Sequence, residues 1–204
     1  MLSIIEAAGW PIWFIILTSV VALAIIGERT WSLRTSLVAP RELLPSTVRE
    51  YQAKGVSQDL VNRLQAGPLI GRVFAAALVN EHSPREVIKD AVEDAGRAVS
   101  LELERFLNTL GTIATISTLL GLFGTIVGMI EIFGSQNPAS GSGNPAQLAH
   151  GISVALYNTL FGIGVAIPAV IFYRHFRHRV EVLVIEMESQ AIKLIEIIHG
   201  ERRA

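Results

Sequence analysis

The sequence predicts an all-α membrane protein with three transmembrane helices, two of which extend into a long cytoplasmic helical bundle. Of the 204 residues, 50% are hydrophobic and only 17% are charged, whereas a soluble domain usually carries about 25% charged residues. Three charge-free stretches are each long enough to cross lipid, which takes about 20 apolar helical residues. All 17 lysines and arginines lie outside those stretches.

The same composition excludes several classes of function. A formal net charge of −1 argues against a nucleic-acid-binding protein, which normally shows a strong basic excess. The absence of cysteine excludes disulfides, thiolate metal sites and cysteine nucleophiles. Because the chain also has no Ser/His/Asp grouping, phosphate-binding loop or HExxH pattern, we expect no catalytic residues, no enzyme activity, no metal site and no cofactor.

The first predicted span covers residues 7–27. Trp10-Pro11 lie near its start, and the charged pair Glu28-Arg29 directly follows its end. Ala22-Leu23-Ala24 resembles a signal-peptide cleavage site, which is the alternative reading of this segment. However, Glu6 precedes the apolar run in place of a basic residue, and the run continues past the alanines. The segment is therefore predicted to be a retained transmembrane helix.

The second and third predicted spans cover residues 106–130 and 151–173. Trp and Tyr side chains lie near the span ends, where amphipathic rings favour the headgroup level. The alternative, three buried core helices of a soluble protein, is disfavoured because too little chain would remain to bury them.

The basic residues set the predicted orientation. Eleven of them lie between spans one and two and six lie after span three. Because basic residues favour the cytoplasmic side, the N-terminus is predicted outside and the C-terminus inside. The predicted segments are the outer N-terminus 1–6, span 7–27, cytoplasmic helical domain 28–105, span 106–130, outer loop 131–150, span 151–173 and cytoplasmic C-terminal helix 174–204.

Two long helices are predicted to continue from the membrane into the cytoplasm. After Ser83-Pro84, no strong helix breaker occurs before Gly134, so residues 84–133 are predicted to form one helix of about 75 Å. A flexible linker over 134–145 follows, and Asn144-Pro145 is predicted to start the third long helix. That helix carries an apolar face beyond span three, which needs a partner helix, and is predicted to stop at Gly200.

Span two separates small and polar residues from bulky ones. The small and polar stripe steps by threes and fours through Gly111, Thr115, Thr118, Gly121, Thr125 and Gly128. Gly124 and Gly128 add the small-xxx-small spacing that lets two helices approach closely. Two interpretations stay open: helix packing alone at Gly121, Gly124 and Gly128, or packing together with a lining role for the threonines.

Span three carries Asn158, which is costly in hydrocarbon unless it faces a helix interface or a wetted lumen. Pro168 is predicted to be a structural kink. No Asp, Glu, Lys, Arg or His lies inside any span, so a partner would have to supply the acid for proton transfer. His175 and His178 have metal-like spacing, but their arginine neighbours favour a basic belt that contacts lipid headgroups.

Two motifs carry a family resemblance. Residues 115–133, TISTLLGLFGTIVGMIEIF, and residues 151–168, GISVALYNTLFGIGVAIP, resemble the second-span and third-span motifs of the MotA/TolQ/ExbB proton-channel family. The three spans and short length are most similar to its ExbB members. The resemblance implies a multi-pass protein of the bacterial inner membrane that forms a homopentamer around a pair of single-span ExbD/TolR-type partners. A partner aspartate would carry the proton, and the pore threonines would correspond to Thr125 and Thr159.

The resemblance further implies that the complex drives a TonB/TolA-type protein that spans the periplasm, in TonB-dependent uptake through the outer membrane. Thr118 and Asn158 join Thr125 and Thr159 as candidates to line the proton path. Two residues depart from the family pattern: Val154 stands where a glutamate is usual, and Thr118 where a proline is common. A TolQ-like envelope-integrity or motility motor, and a passive membrane scaffold without ion flux, are the alternatives.

Overall fold

A computed structural model describes residues 2–134 and 145–200, and this part of the chain is helical without strands. The helices are α1 (Leu2–Ala8), α2 (Ile12–Ser32), α3 (Thr35–Val38), α4 (Leu43–Lys54), α5 (Gln58–Ala66), α6 (Leu69–Val79), α7 (Arg85–Leu103), α8 (Leu107–Gly134) and α9 (Pro145–Ile198). Most of the predicted linker and the predicted cap Asn144 lie outside the described residues.

The chain divides into two compact units. The first, here called the span unit, contains residues 1–28 and 106–175. The second, here called the bundle unit, contains residues 29–105 and 176–204. Helices α2 and α9 each contribute residues to both units.

In the part of the chain that the structure describes, three helical segments are long and apolar enough to cross a membrane, which confirms the predicted fold class. They lie within Ile12–Ser32, Arg85–Gly134 and Leu148–Ile198, and at most 33% of each apolar window is buried within the chain. Their exposed side chains include Leu17, Leu156 and Ile167. Since so much apolar surface is unfavourable in water, these faces require lipid or other helices around them.

A turn divides the apolar N-terminal region into two helices. Gly9 adopts a φ of +71°, a left-handed conformation that glycine takes without steric cost. Pro11 directly precedes α2, which therefore begins at Ile12 and runs on through Glu28 and Arg29 to Ser32. The predicted segment boundaries, here residues 7–27 for the first span, stay predictions.

The continuous helix predicted over residues 84–133 is wrong at one point. Helix α7 ends at Leu103 and α8 begins at Leu107, with a turn over residues 104–106 between them. Phe106 has a φ of +64°, which a non-glycine residue adopts only at a cost of about 1–2 kcal/mol. No glycine or proline lies at this break in the sequence. A tertiary contact supports it, because Nη1 of Arg29 donates a hydrogen bond of 3.2 Å to the carbonyl of Leu103.

Replacing Arg29 with methionine is expected to destabilise the bundle unit by about 1–3 kcal/mol. Arg29 is only 6% exposed, and its loss leaves a carbonyl at the end of α7 without this donor. Thermal unfolding of the detergent-solubilised protein measures the effect. Arg49→Met is the matched control, since Arg49 is exposed in the same unit. Equal melting of both variants would contradict a capping role for Arg29.

The core of the bundle unit forms around α6, the most apolar of its short helices. Ile70, Phe74 and Leu78 of α6 are fully buried, and α6 packs on α5 and α7. The apolar face predicted on the last part of α9 is also buried in this unit, at Val180, Leu183, Met187, Ala191, Leu194 and Ile195. The predicted stop is confirmed, because α9 ends at Ile198 and Gly200 has a φ of +71°.

Candidate functional site

Helices α8 and α9 approach each other most closely along a row of glycines in the span unit. A Cβ atom placed on Gly128 would lie 2.5 Å from the carbonyl oxygen of Gly151, and one on Gly121 would lie 3.1 Å from that of Asn158. At Gly124 it would lie 2.2 Å from the Cβ of Asn158. At Gly124 and Gly128 this approach leaves room only for hydrogen, and at Gly121 a methyl group would require α9 to shift by a few tenths of an ångström. The three glycines predicted to pack helices therefore lie at the α8–α9 contact.

Asn158 lies at the centre of this contact and is fully buried. Its Nδ2 donates to the carbonyl of Ala8 at 2.6 Å and to the carbonyl of Val154 at 2.8 Å. The first bond joins α9 to the end of α1, and Gly124 of α8 covers the side chain. Within the described residues, Oδ1 has no hydrogen-bond partner. Of the two environments considered from sequence, the helix interface is the one that Asn158 occupies in the single chain.

The candidate threonines lie at the edge of the α8–α9 contact. Thr125 and Thr159 are half-buried and Thr118 is exposed. Each hydroxyl donates to a carbonyl of the preceding turn, Thr125 to Leu122 at 2.6 Å, Thr159 to Ala155 at 3.1 Å and Thr118 to Ala114 at 3.2 Å. The Oγ1 of Thr159 also lies 3.5 Å from the carbonyl oxygen of Gly121, across the interface.

The glycines and the threonines of the predicted stripe on α8 therefore lie in different environments. Gly121 and Gly128 are buried against α9, whereas Thr115 and Thr118 are exposed and Thr125 is half-buried. A hydroxyl that donates within its own helix keeps lone pairs that can accept a hydrogen bond from an acid or a water. The edge can therefore receive a donor from outside the chain.

Thr125 also borders a shallow apolar depression on the outer face of α8. Its other lining residues are Ile126, Met129, Ile130, Phe133 and Gly134. Thr125 contributes the hydroxyl in this otherwise apolar surface, whose shape and chemistry suit the side of another transmembrane helix.

Val154 stands at the position where the family that the sequence resembles usually has glutamate. Its side chain is fully buried beside Gly9. Its carbonyl accepts the hydrogen bond from Asn158. The position therefore forms part of the packing between α9 and the turn after α1, and it brings no titratable group to the site.

Two further residues that pack the helices of the span unit, Ser117 and Gly162, were not identified from the sequence. The Oγ of Ser117, which is fully buried, donates to the Oγ1 of Thr18 on α2 at 3.3 Å, and that hydroxyl donates to the carbonyl of Ile15. A Cβ on Gly162 would lie 2.6 Å from the carbonyl oxygen of Ser117. Ser117 is four residues before Gly121, and Gly162 four after Asn158, so helical periodicity from the recognised residues would have found both.

The histidines predicted as part of a basic belt do not gather into a metal site. His178 and Arg177 each lie within 4.0 Å of the carboxylate of Glu181. Among the residues that the structure describes, no group of three or more His, Cys, Asp and Glu side chains could hold a metal ion.

Comparison with known proteins shows the family of the chain that carries this contact. The profile of the MotA/TolQ/ExbB proton channel family matches residues 65–189, which include the whole α8–α9 contact. The chain belongs to this family. Members of the MotA/TolQ/ExbB family are ion-channel motor subunits of the cell envelope, so the chain is not an enzyme.

Individual relatives carry two kinds of name within the MotA/TolQ/ExbB family. The chain is 31% identical over 160 residues to the protein named ExbB-like 3 of Synechocystis, covering 78% of this chain and 76% of the relative. It is 29% identical over 171 residues to biopolymer transport protein exbB1 of Vibrio cholerae, covering 81% and 74%. It is 30% identical over 126 residues to the Tol-Pal system protein TolQ of Haemophilus influenzae, covering 60% and 55%.

Proposed function

We propose that the chain is an ExbB-like subunit of an inner-membrane motor that uses the proton-motive force to drive TonB-dependent uptake across the outer membrane. Family membership gives the broad class. The names of the relatives and the longer shared alignments with ExbB proteins favour the ExbB role over the TolQ role.

The observation that carries the proposal is the pairing of a glycine-packed helix contact with a hydroxyl-bearing edge. Thr125 and Thr159 present acceptors at this edge, and the predicted spans contain no Asp, Glu, Lys, Arg or His. An acid that moves a proton past these hydroxyls must therefore come from another protein. A single-span ExbD/TolR-type partner with an aspartate in its transmembrane helix meets this requirement.

The apolar exposure of the spans supports an oligomer around that partner. A homopentamer enclosing the partner helices would direct the threonine edges of neighbouring subunits toward a central space. An aspartate there would favour its protonated form, because burial disfavours the charged carboxylate. Thr125, Thr159 and Thr118 would line the proton path, whereas Asn158 would hold the helices that carry them.

The membrane potential can supply enough energy for this mechanism. One charge that crosses 100 mV provides about 2.3 kcal/mol, roughly four times thermal energy. In the proposal, protonation from outside and release inside change which subunit the partner aspartate favours. The threonine edges of successive subunits would offer near-equivalent positions to that aspartate, and the resulting movement is passed to a TonB/TolA-type protein.

Native mass spectrometry of the detergent-extracted chain, alone and co-expressed with an ExbD/TolR-type protein, tests the assembly. We expect a homo-oligomer that takes up fewer partner chains than its own copies. Reconstituted into liposomes, the complex should carry a potential-driven proton flux that is lost when the partner aspartate is changed to asparagine. A monomer that ignores such partners would contradict the proposal.

A passive scaffold is the second candidate, favoured by the absence of any charged residue inside the spans. The same experiment separates the two functions. A complex that assembles with the partner but gives no proton flux at any membrane potential would establish the scaffold and overturn the motor.

A further inference from the structure

The bundle unit contains two exposed arginines, Arg34 and Arg179, that are each held by a neutral side chain. Arg63, Arg72, Arg97 and Arg177 each form an ion pair with a carboxylate. Within the described part of the chain, neither Arg34 nor Arg179 does. Each is instead held by a neutral group, Arg34 by the ring of Trp31 and Arg179 by the hydroxyl of Thr35.

The two arginines are held at neighbouring points. The guanidinium carbon of Arg34 lies 4.3 Å from the centre of the Trp31 ring, a cation–π stack. The Nη2 of Arg179 donates to the Oγ1 of Thr35 at 2.9 Å. Thr35 directly follows Arg34 in the chain, so Arg179 is bound to the residue next to Arg34. Stacking orders the planar guanidinium and leaves its donors free for an oxyanion.

The position of these residues along their helices matches the headgroup layer. Trp31 lies in the last turn of α2 and is 65% exposed, at the end of a candidate span. Arg179 follows Arg174, the first charged residue after the third apolar stretch, by five residues, or about 7.5 Å of helix. The headgroup region on each side of a bilayer is about 5–8 Å thick. Tryptophan rings and arginines are both favoured at this depth.

We propose that Trp31, Arg34, Thr35 and Arg179 form a binding site for the phosphate of an anionic phospholipid headgroup. Arg34 and Arg179 supply the donors for the phosphate oxygens, and Thr35 keeps Arg179 in place. Planar guanidinium groups suit phosphate oxygens, which they can bind with two parallel hydrogen bonds. The exposed Trp31 ring provides an apolar surface for the adjoining glycerol and upper acyl chain, which favours a lipid over free phosphate. The site is independent of whether the complex carries protons.

Lipid titration of the full-length protein, followed by native mass spectrometry, tests the site. The probes are phosphatidylglycerol and the zwitterionic phosphatidylcholine. The wild-type protein should retain phosphatidylglycerol preferentially, and Arg34→Gln and Arg179→Gln should each weaken its binding by about fivefold. Arg177→Gln is the matched control, since it removes the same charge from the same helix as Arg179→Gln but from an arginine paired with Glu181. It should change binding by less than about twofold.

Further variants separate a defined site from a general effect of charge. Arg179→Lys keeps the charge and, because lysine cannot form the planar two-bond contact, should weaken binding while leaving the melting temperature unchanged. Trp31→Leu should weaken binding without any change of charge. Equal losses from Arg177→Gln and Arg34→Gln would overturn the proposal in favour of a diffuse basic belt. Displacement of the lipid by millimolar inorganic phosphate would overturn it in favour of a free-phosphate site.

Discussion

Replacing Gly128 with alanine is expected to force α8 and α9 apart and to destabilise the span unit by about 1–3 kcal/mol. The added Cβ would lie 2.5 Å from the carbonyl oxygen of Gly151 and 2.8 Å from the amide nitrogen of Ala155. Both are backbone atoms of α9, so no side-chain rotation can relieve the overlap. The free energy of unfolding in mixed detergent micelles measures the loss.

Gly164→Ala is the matched control for this prediction. Gly164 belongs to the same unit, and a Cβ there would meet nothing within 4 Å. Alanine is favoured over glycine inside a helix by about 1 kcal/mol, so the control should be neutral or slightly stabilising. If Gly128→Ala behaved like Gly164→Ala, the close α8–α9 contact would not exist in the folded protein.

The fold class was predictable because it depends on the length and composition of continuous segments of the sequence. A charge-free helical run must lie in an apolar environment wherever it packs, so length and composition suffice to identify it. The stop of α9 was predictable for a similar reason, since Gly200 takes up a left-handed conformation that few other residues tolerate.

The break between α7 and α8 was not predictable from local sequence. Residues 101–107 contain neither glycine nor proline, and Phe106 is a poor choice for a positive φ. The contact that supports the turn comes from Arg29, which is 74 residues away from Leu103 in the chain. Secondary structure that depends on such a distant donor cannot be inferred from helix propensity alone.

The candidate site was predictable in its residue types more than in its contacts. Helical spacing placed Gly121, Gly124 and Gly128 together, and the structure brings them against α9. Spacing within one helix could not show that the amide of Asn158 reaches the carbonyl of Ala8, 150 residues earlier. A buried polar side chain is expected to have a hydrogen-bond partner, but the identity of that partner depends on the tertiary fold.

Replacing Thr125 with valine is expected to reduce potential-driven proton flux through the complex with an ExbD/TolR-type partner by about tenfold. Valine keeps the shape of threonine and removes the hydroxyl, which donates to Leu122 and can accept from an acid. A tenfold loss corresponds to about 1.4 kcal/mol, the value of one hydrogen bond made along the path. Flux into liposomes measures it, and native mass spectrometry shows whether assembly is unchanged.

Thr112→Val separates this role from a general effect of losing a hydroxyl on α8. The Oγ1 of Thr112 makes the same kind of bond, donating to the carbonyl of Asn108 at 2.9 Å. At 100° per residue, Thr112 lies about 140° around the helix axis from Thr125, away from the edge that α9 borders. Its variant should keep flux within about twofold of wild type. Equal flux from Thr112→Val and Thr125→Val would remove Thr125 from the proton path, because only the position of the lost hydroxyl distinguishes the two.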